Sequence, residues 1–178
     1  MNTIEKNCSV ALIAAIARNR ELGKDNNLLW RLSDDMAFFK ATTLNHWVIM
    51  GRKSYESLPP KFRPLPNRVN VIVTRDPHYH AEGCLVFHSI EESIKAARKA
   101  DQHKVFIIGG AQIYTESLKS NLINEMYLTH VAGEFPEADV FFPEVNPLQW
   151  ETKRIAGFEA DDKNQFAGEI LHYVSKKV

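Results

Sequence analysis

Short apolar runs alternate with helix-like segments along most of this chain, and that alternation limits the folds it can adopt. Six runs have the length and continuous apolar character of buried strands. They lie at residues 8–17, 46–51, 68–74, 83–88, 104–110 and 125–131, and helical patterns occupy 33–44, 52–58, 89–100 and a segment from 111 onward. Strands that alternate with helices are typical of βαβ units, so the pattern predicts a largely parallel central sheet.

The last part of the chain departs from this alternation. Residues 150–158 and 166–174 are two strand candidates joined by the polar segment EADDKNQ, which is typical of an antiparallel hairpin. The predicted fold is therefore α/β: one domain over residues 1–178, with a mostly parallel sheet of about eight strands, a C-terminal antiparallel hairpin and about four flanking helices.

Charge and cysteine usage narrow the possible partners. Lysine plus arginine and aspartate plus glutamate both number 22, so the net charge is zero, and a nucleic-acid partner is not expected. Cys8 and Cys84 form no CxxC pair and the histidines are scattered, so no metal site is predicted. Few cysteines favour a reducing, cytoplasmic location.

The apolar run 8–17 resembles the core of a signal peptide but is too short to span a bilayer as a helix. The residues before it include Glu5 as well as Lys6, so the leader is not clearly positive and a buried strand is favoured. No membrane partner is expected. Nothing in the sequence demands a dimer, and a monomer is predicted.

Three predicted strands end in residues suited to phosphate. The three ends are Gly51-Arg52-Lys53-Ser54, Thr74-Arg75 and Gly109-Gly110. Ligands of parallel sheets bind beyond the carboxyl ends of the strands. Each end alone is weak evidence, but together they suit a dinucleotide with an extra ribose phosphate, which Arg52 and Arg75 would contact. The GxGxxG and GxxxxGK[ST] motifs are absent, which disfavours a standard dehydrogenase and a P-loop kinase.

Two adjacent aspartates, Asp34 and Asp35, occupy the start of the first predicted helix, with Ser33 as the expected N-cap. Both could simply be first-turn charges. Helical spacing, however, places Asp35 on the face of Phe38 and Phe39, whereas Asp34 shares a face with small alanines.

A carboxylate against an apolar wall needs a partner, and no basic residue lies one turn away on the Asp35 face. The expected partner is a ligand: a planar heterocycle that offers a ring N–H and an amino group to the two carboxylate oxygens. Phe39 would flank the ring, and Trp30 and Leu28 would close its other side.

Several motifs, in order and spacing, resemble those of the dihydrofolate reductase family, bacterial type, along nearly the whole chain. They are ALIAAIARNRELGKDNNLLWRLSDDMAFFKATT, VIMGRKSYESL, RPLPNR, VIVTR, VFIIGGAQIY and YLTH. The resemblance implies NADPH-dependent reduction of 7,8-dihydrofolate to tetrahydrofolate, by hydride transfer to pterin C6 with protonation of N5. It also implies a role in one-carbon metabolism and binding of antifolate inhibitors.

The resemblance further assigns site residues. The implied catalytic residues are Asp35, Trp30, Leu28 and Thr129. The implied substrate-binding residues are Ile13, Ala15, Asp35, Met36, Phe39, Leu58, Leu65, Arg68, Ile108, Tyr114 and Thr129. The implied cofactor-binding residues are Ala15, Leu22, Gly23, Gly51, Arg52, Lys53, Ser54, Thr74, Arg75, Ile108, Gly109, Gly110, Ala111, Gln112, Ile113 and Tyr114.

By the same resemblance, Arg68 pairs with the glutamate carboxylate of folate and the Gly109–Gly110 peptide is cis. Residues 23–29 form a lid over the site, and Asp139 belongs to the loop that holds it closed. Leu29 stands where proline is frequent in the family, which would loosen the lid.

Other functions remain open at this point. The same fold could reduce another pterin or a riboflavin precursor, although Arg68 would then lack a carboxylate to bind. A non-catalytic nucleotide-binding module would bind NADPH without turnover, and the Asp35 pocket argues against it. A purely structural protein has no positive feature in its favour.

Overall fold

The computed structural model describes residues 7–177. Residues 1–6 and 178, which include Glu5 and Lys6 of the signal-peptide interpretation and the two ends of the predicted domain, lie outside the described residues. Within residues 7–177, ten strands run in chain order: β1 Ser9–Ile16, β2 Glu21–Gly23, β3 Trp47–Gly51, β4 Val69–Val73, β5 Leu85–Phe87, β6 Lys104–Gly109, β7 Glu125–Val131, β8 Val140–Phe141, β9 Trp150–Phe158 and β10 Gly168–Ser175. The same part of the chain has four α-helices: α1 Ser33–Thr43, α2 Arg52–Glu56, α3 Ile90–Lys99 and α4 Ala111–Lys119.

Eight of these strands form the central sheet, in the order β5-β4-β3-β6-β1-β7-β10-β9. The pairs from β5 through β7 are parallel, and β10 is antiparallel to both β7 and β9. The predicted α/β fold, with eight central strands, four helices and a C-terminal hairpin, is confirmed. The short β2–β8 pair was not predicted, because strands of two or three residues carry no recognisable period.

Helices cover both faces of the sheet, which explains the continuous apolar runs. Alternate residues of β1 enter opposite cores: Val10 and Leu12 join the core beneath α3 and α4, whereas Ala11 and Ile13 join the core that includes side chains of α1 and α2. A strand buried on both faces has no polar face to present, so its sequence does not alternate.

The starts of α3 and α1 are capped in different ways. Ser89 is the N-cap of α3, because its Oγ accepts a 3.1 Å hydrogen bond from the Glu92 N–H. Ser33 as N-cap is wrong: Leu32 is the capping residue and supplies no side-chain bond. Asn164 fills that role from the loop before β10, since its Oδ1 accepts a 3.1 Å hydrogen bond from the Asp34 N–H.

Candidate active site

The predicted site residues lie on most of the elements around the parallel part of the sheet. They occupy β1 (Ile13, Ala15), β2 (Leu22, Gly23), the loop before α1 (Leu28, Trp30), α1 (Asp35, Met36, Phe39), β3 with α2 (Gly51, Arg52, Lys53, Ser54), the segment from α2 to β4 (Leu58, Leu65, Arg68), the residues after β4 (Thr74, Arg75), β6 with α4 (Ile108, Gly109, Gly110, Ala111, Gln112, Ile113, Tyr114) and β7 (Thr129). The strand residues among them lie at or near the carboxyl ends of β1, β3, β6 and β7. Arg68 instead directly precedes β4, so it lies at the amino-terminal ends of the parallel strands, opposite the other residues.

Asp35 lies in the first turn of α1 and is joined to the sheet through Thr129. The Thr129 hydroxyl donates a 2.5 Å hydrogen bond to Asp35 Oδ1, and Thr129 pairs in register with Ala15 of β1. Phe38 and Phe39, one turn further along α1, pack against the core that contains Ile13. The predicted orientation is confirmed, because Asp35 is partly buried on the sheet-facing side of α1.

The electrostatic surroundings of Asp35 are unusual for a first-turn carboxylate. Burial raises its pKa, and the bond from Thr129 offsets part of that shift. Among the described residues no lysine, arginine or histidine forms an ion pair with Asp35, and Oδ2 accepts no hydrogen bond from them. The expectation that only a ligand would partner Asp35 is therefore corrected for one oxygen, Oδ1, while Oδ2 stays free for a donor.

Tyr114 lies beside this carboxylate in the interior. Its hydroxyl donates a 2.8 Å hydrogen bond to the Ile13 carbonyl. Burial, and then the negative charge of Asp35, raise the pKa of the Tyr114 phenol. Tyr114 is therefore a neutral hydrogen-bond donor that connects α4 to β1.

The residues expected to close the ring pocket differ in exposure. Trp30 is 6% exposed, and its ring centroid lies 5.2 Å from that of Phe135. Leu28 and Met36 expose 63% and 53% of their surfaces. Trp30 is thus a fixed wall, whereas Leu28 and Met36 leave apolar surface open to an incoming ligand.

Arg68 lies at the far end of α1 from Asp35. Its Nε donates to the Pro66 carbonyl at 3.0 Å, and its Nη1 donates to Thr43 Oγ1 at 3.2 Å. Burial lowers the pKa of Arg68, and no described carboxylate pairs with it. Thr43 is eight residues beyond Asp35 on α1, a helical rise of about 12 Å, so α1 separates an unpaired cation from a buried carboxylate.

The Gly109–Gly110 peptide is cis, as predicted. Gly109 has φ of +128°, a conformation that side chains rarely adopt, and an added Cβ would lie 3.3 Å from the Tyr114 hydroxyl. A Cβ on Gly110 would lie 3.0 Å from Ser54 Oγ. The starts of α2 and α4 are therefore neighbours, and only glycine lets the β6 turn approach Ser54 this closely.

The cations expected to contact phosphate are not equivalent. Arg52 is already engaged: its Nε lies 2.9 Å from Glu56 Oε1 and its Nη1 lies 3.2 Å from Asp76 Oδ2. Its guanidinium also stacks over the ring of Tyr79, 4.4 Å from the centroid. Lys53 and Arg75 are exposed and form no ion pair with any described residue. An incoming anion can bind these two free cations without breaking an existing ion pair.

The segment 23–29 is fastened at its beginning to the loop before β8. The Asp25 N–H donates to Asp139 Oδ2 at 3.1 Å, and the Asp139 N–H donates to the Gly23 carbonyl at 3.1 Å. The sequence did not predict a second contact, which lies just beyond this segment. The Arg31 N–H donates a 2.7 Å hydrogen bond to the side-chain oxygen of Gln165. No local pattern signals a contact between residues this far apart in the chain.

Residues 7–177 contain no group of three or more histidine, cysteine, aspartate or glutamate side chains arranged to hold a metal ion. The same residues contain no helix with the length and apolar character needed to cross a membrane.

Comparison with known proteins identifies the family. The sequence model of the family described as dihydrofolate reductase matches residues 9–175. The chain is 40% identical to dihydrofolate reductase type 3 of Salmonella typhimurium, over 91% of this chain and 95% of that protein. It is 38% identical to dihydrofolate reductase of Bacillus subtilis, over 94% and 95% respectively.

Among solved structures, the fold matches dihydrofolate reductase from Enterococcus faecalis complexed with NADP(H) and RAB-propyl. The TM-score is 0.83 at 33% identity, and the match covers 95% of this chain and 97% of that one. Sequence and fold agree over nearly the full length of both partners. The chain therefore belongs to the dihydrofolate reductase family.

Proposed function

We propose that this protein reduces 7,8-dihydrofolate to 5,6,7,8-tetrahydrofolate with NADPH, as one domain over residues 1–178. The observation that carries the proposal is that a free anionic group and a free cationic group lie at opposite ends of α1. Asp35 offers a free carboxylate oxygen at one end and Arg68 offers an unpaired guanidinium at the other. Dihydrofolate has the complementary order, with hydrogen-bond donors on its pterin and carboxylates on its glutamate tail.

Asp35 is proposed to bind the pterin. The free Oδ2 accepts hydrogen bonds from the ring N–H and the amino group of the pterin. Thr129 holds Oδ1 and borders the same edge of the pterin. A buried anion beside the pterin stabilises the positive charge that develops when N5 is protonated. In this proposal Asp35 acts electrostatically, and the proton reaches N5 from water.

The remainder of the substrate is proposed to lie along α1. Phe39, Leu58 and Leu65 belong to one apolar cluster, which suits the aminobenzoyl ring. Arg68 then binds the glutamate carboxylate through guanidinium donors that the protein leaves unused, a charge-assisted contact. A pterin or riboflavin precursor without a glutamate tail would leave Arg68 unpaired, which favours dihydrofolate over these alternatives.

NADPH, when bound, supplies the hydride. The close approach of Gly109 and Gly110 to Ser54 leaves backbone surface that a nucleotide can contact without a Cβ in the way. Lys53 and Arg75 supply free positive charge for its phosphates. The segment 23–29 is proposed to act as a lid that excludes water and aligns the reactants.

We also propose that the protein is a cytoplasmic monomer and that antifolate heterocycles bind at Asp35. An antifolate that presents an amino group beside a protonated ring nitrogen would satisfy Asp35 Oδ2 and neutralise the buried charge. Size-exclusion chromatography with light scattering tests the monomer, and a dimer would contradict it.

The function is tested by following NADPH oxidation spectrophotometrically with dihydrofolate as substrate, and NADH is the parallel cofactor. We expect turnover with NADPH and dihydrofolate, and a much higher KM for NADH. A tail-less dihydropterin serves as the second substrate and should have a higher KM. Binding of NADPH without turnover would instead support a nucleotide-binding module, and equal KM values for both pterins would contradict the role of Arg68.

A further inference from the structure

Asn70 of β4 is one of the most buried polar side chains in the described chain, with 1% of its surface exposed. Its Oδ1 accepts a 2.9 Å hydrogen bond from the Leu65 N–H. Its Nδ2 donates to the Leu65 carbonyl at 2.9 Å and to the Arg68 carbonyl at 3.2 Å. One amide thus closes residues 65–70 into a fixed loop.

The sequence explains why a side chain has to do this. Pro64 and Pro66 flank Leu65, and proline has no N–H to donate. Backbone hydrogen bonds are therefore scarce in this loop, and unsatisfied backbone groups at a buried position are costly. Asn70 has both a donor and an acceptor, so it satisfies both polar groups of Leu65 at once.

The loop that Asn70 holds carries two groups proposed to bind the substrate tail. Leu65 is 8% exposed and packs with the cluster that includes Phe39. Arg68 is fixed at its backbone by Asn70 and at its guanidinium by Thr43, whose hydroxyl in turn donates to the Phe39 carbonyl at 2.8 Å. Asn70 itself forms no hydrogen bond to Asp35 or to the Gly109–Gly110 turn.

We propose that Asn70 is a positioning residue for the aminobenzoyl-glutamate tail: it sets Leu65 and Arg68 for binding without touching the substrate. The inference rests on the proposed function, because that function assigns the tail to these two residues. Its consequence is selective. Disturbing Asn70 should weaken recognition of the tail and leave recognition of the pterin ring and of NADPH unchanged.

The test compares Asn70→Asp and Asn70→Ala with the parent protein. In Asn70→Asp the Oδ1 acceptor for the Leu65 N–H is retained, but the group facing the Leu65 and Arg68 carbonyls becomes an acceptor. We expect the KM for dihydrofolate to rise about 10-fold, because a displaced Arg68 would lose its charge-assisted hydrogen bond to the tail carboxylate. The KM for NADPH and the kcat/KM for 6-methyl-7,8-dihydropterin should stay within about two-fold, a change too small to reflect a lost hydrogen bond.

A double-mutant cycle adds a readout that a merely structural role would not move. In an Arg68→Ala background, Asn70→Asp should raise the KM for dihydrofolate by a much smaller factor, because residues that act as one unit are not additive. Asn124→Asp is the matched control. Asn124 likewise accepts a hydrogen bond from a backbone N–H, that of Val10 at 2.8 Å. It directly precedes β7 and so lies away from the carboxyl ends of the strands, where Asp35 and Thr129 meet. That control should leave all kinetic constants unchanged.

The outcomes separate the two proposals. If the parent protein does not oxidise NADPH with dihydrofolate, the proposed function fails. If the parent is active and the Asn70 variants weaken the binding of dihydrofolate, of the tail-less pterin and of NADPH equally, the positioning role of Asn70 is overturned. It is also overturned if the variants weaken the binding of none of the three. Asn70→Asp has nearly the shape of the parent side chain, so it provides the comparison if Asn70→Ala does not fold.

Discussion

The Thr129 hydroxyl donates a 2.5 Å hydrogen bond to Asp35 Oδ1, and this bond joins the first turn of α1 to the middle of the sheet. Asp35 is therefore held by a neutral donor rather than by a cation. A neutral donor orients the carboxylate without cancelling its charge, so the buried anion stays available to a ligand.

Asp35→Asn should fold and bind NADPH but lose at least about 100-fold in kcat/KM at neutral pH, the loss typical when a group that stabilises developing charge is removed. The amide is neutral and cannot stabilise a protonated pterin. Steady-state kinetics should show partial recovery as the pH is lowered, because the solution then supplies a pterin that is already protonated. Full activity of the variant at pH 7 would refute the assignment.

Asp35→Asn should also increase stability at neutral pH. Burial raises the Asp35 pKa above its ordinary value of 3.8, so the folded state binds this proton more tightly than the unfolded state does. The carboxylate lowers stability above its folded pKa and has no such effect below the unfolded one. The substitution should therefore raise the free energy of unfolding at pH 7 by about 0.5–2 kcal/mol, and the gain should shrink as the pH falls through the folded pKa toward 3.8.

Urea denaturation of the ligand-free protein at neutral pH and at pH 3.8, the ordinary pKa of this carboxyl, measures this difference. Asp162→Asn, an exposed carboxylate in the loop before β10, is the control and should change stability little at either pH. A gain that is the same at both pH values would show that the charge of Asp35 is not its cause.

Arg68→Ala should raise the KM for dihydrofolate by about 10–100-fold, the usual loss when a charge-assisted contact is removed. The KM for NADPH should be nearly unchanged. Arg63→Ala is the matched control, because Arg63 lies in the same proline-rich loop but donates to the Glu56 carbonyl instead. Equal effects of Arg68→Ala on substrate and cofactor would exclude a specific contact with the tail.

Arg75→Ala should weaken the binding of NADPH more than Arg52→Ala does. Arg75 is free, whereas Arg52 is already paired with Glu56 and Asp76 and must release them to bind a phosphate. We expect about a 10-fold rise in the KM for NADPH with Arg75→Ala, and little change for NADH, which lacks the extra phosphate. Added salt should narrow the difference, since exposed charges are screened. A larger effect of Arg52→Ala would reverse this ranking.

Asp139→Ala should lower kcat several-fold with little loss of stability. The side chain of Asp139 is exposed and accepts one hydrogen bond from the Asp25 N–H, so the substitution loosens the start of the proposed lid without opening the core. Glu137→Ala, in the same loop, is the control. Unchanged rates of hydride transfer in single-turnover experiments would argue against a lid in segment 23–29.

Local sequence was sufficient wherever the decisive contacts are local. The Ser89 cap of α3 and the inward face of α1 depend on residues within one or two turns. The continuous apolar character of β1 follows from burial on both faces, a consequence of layer architecture. The phosphate-suited strand ends could be placed at one edge because parallel strands share a direction.

Local patterns are insufficient where a distant residue competes with a local one. Ser33 has the right chemistry for an N-cap, but the Asp34 N–H donates instead to Asn164, which lies 130 residues beyond Asp34. Arg52 has the right chemistry for phosphate, and its partner Glu56 is visible at i+4. Its second partner, Asp76, approaches only because β3 and β4 are adjacent.

The sequence by itself determined the α/β architecture and the residue types that the site needs, because periodicity and residue chemistry are properties of short segments. Only the tertiary structure decided which of those residues meet. It gave Asp35 a neutral partner, separated Arg68 from Asp35 by the length of α1, and engaged Arg52 while leaving Arg75 free. These relationships depend on how distant strands and loops are brought together by packing, and no local pattern records that.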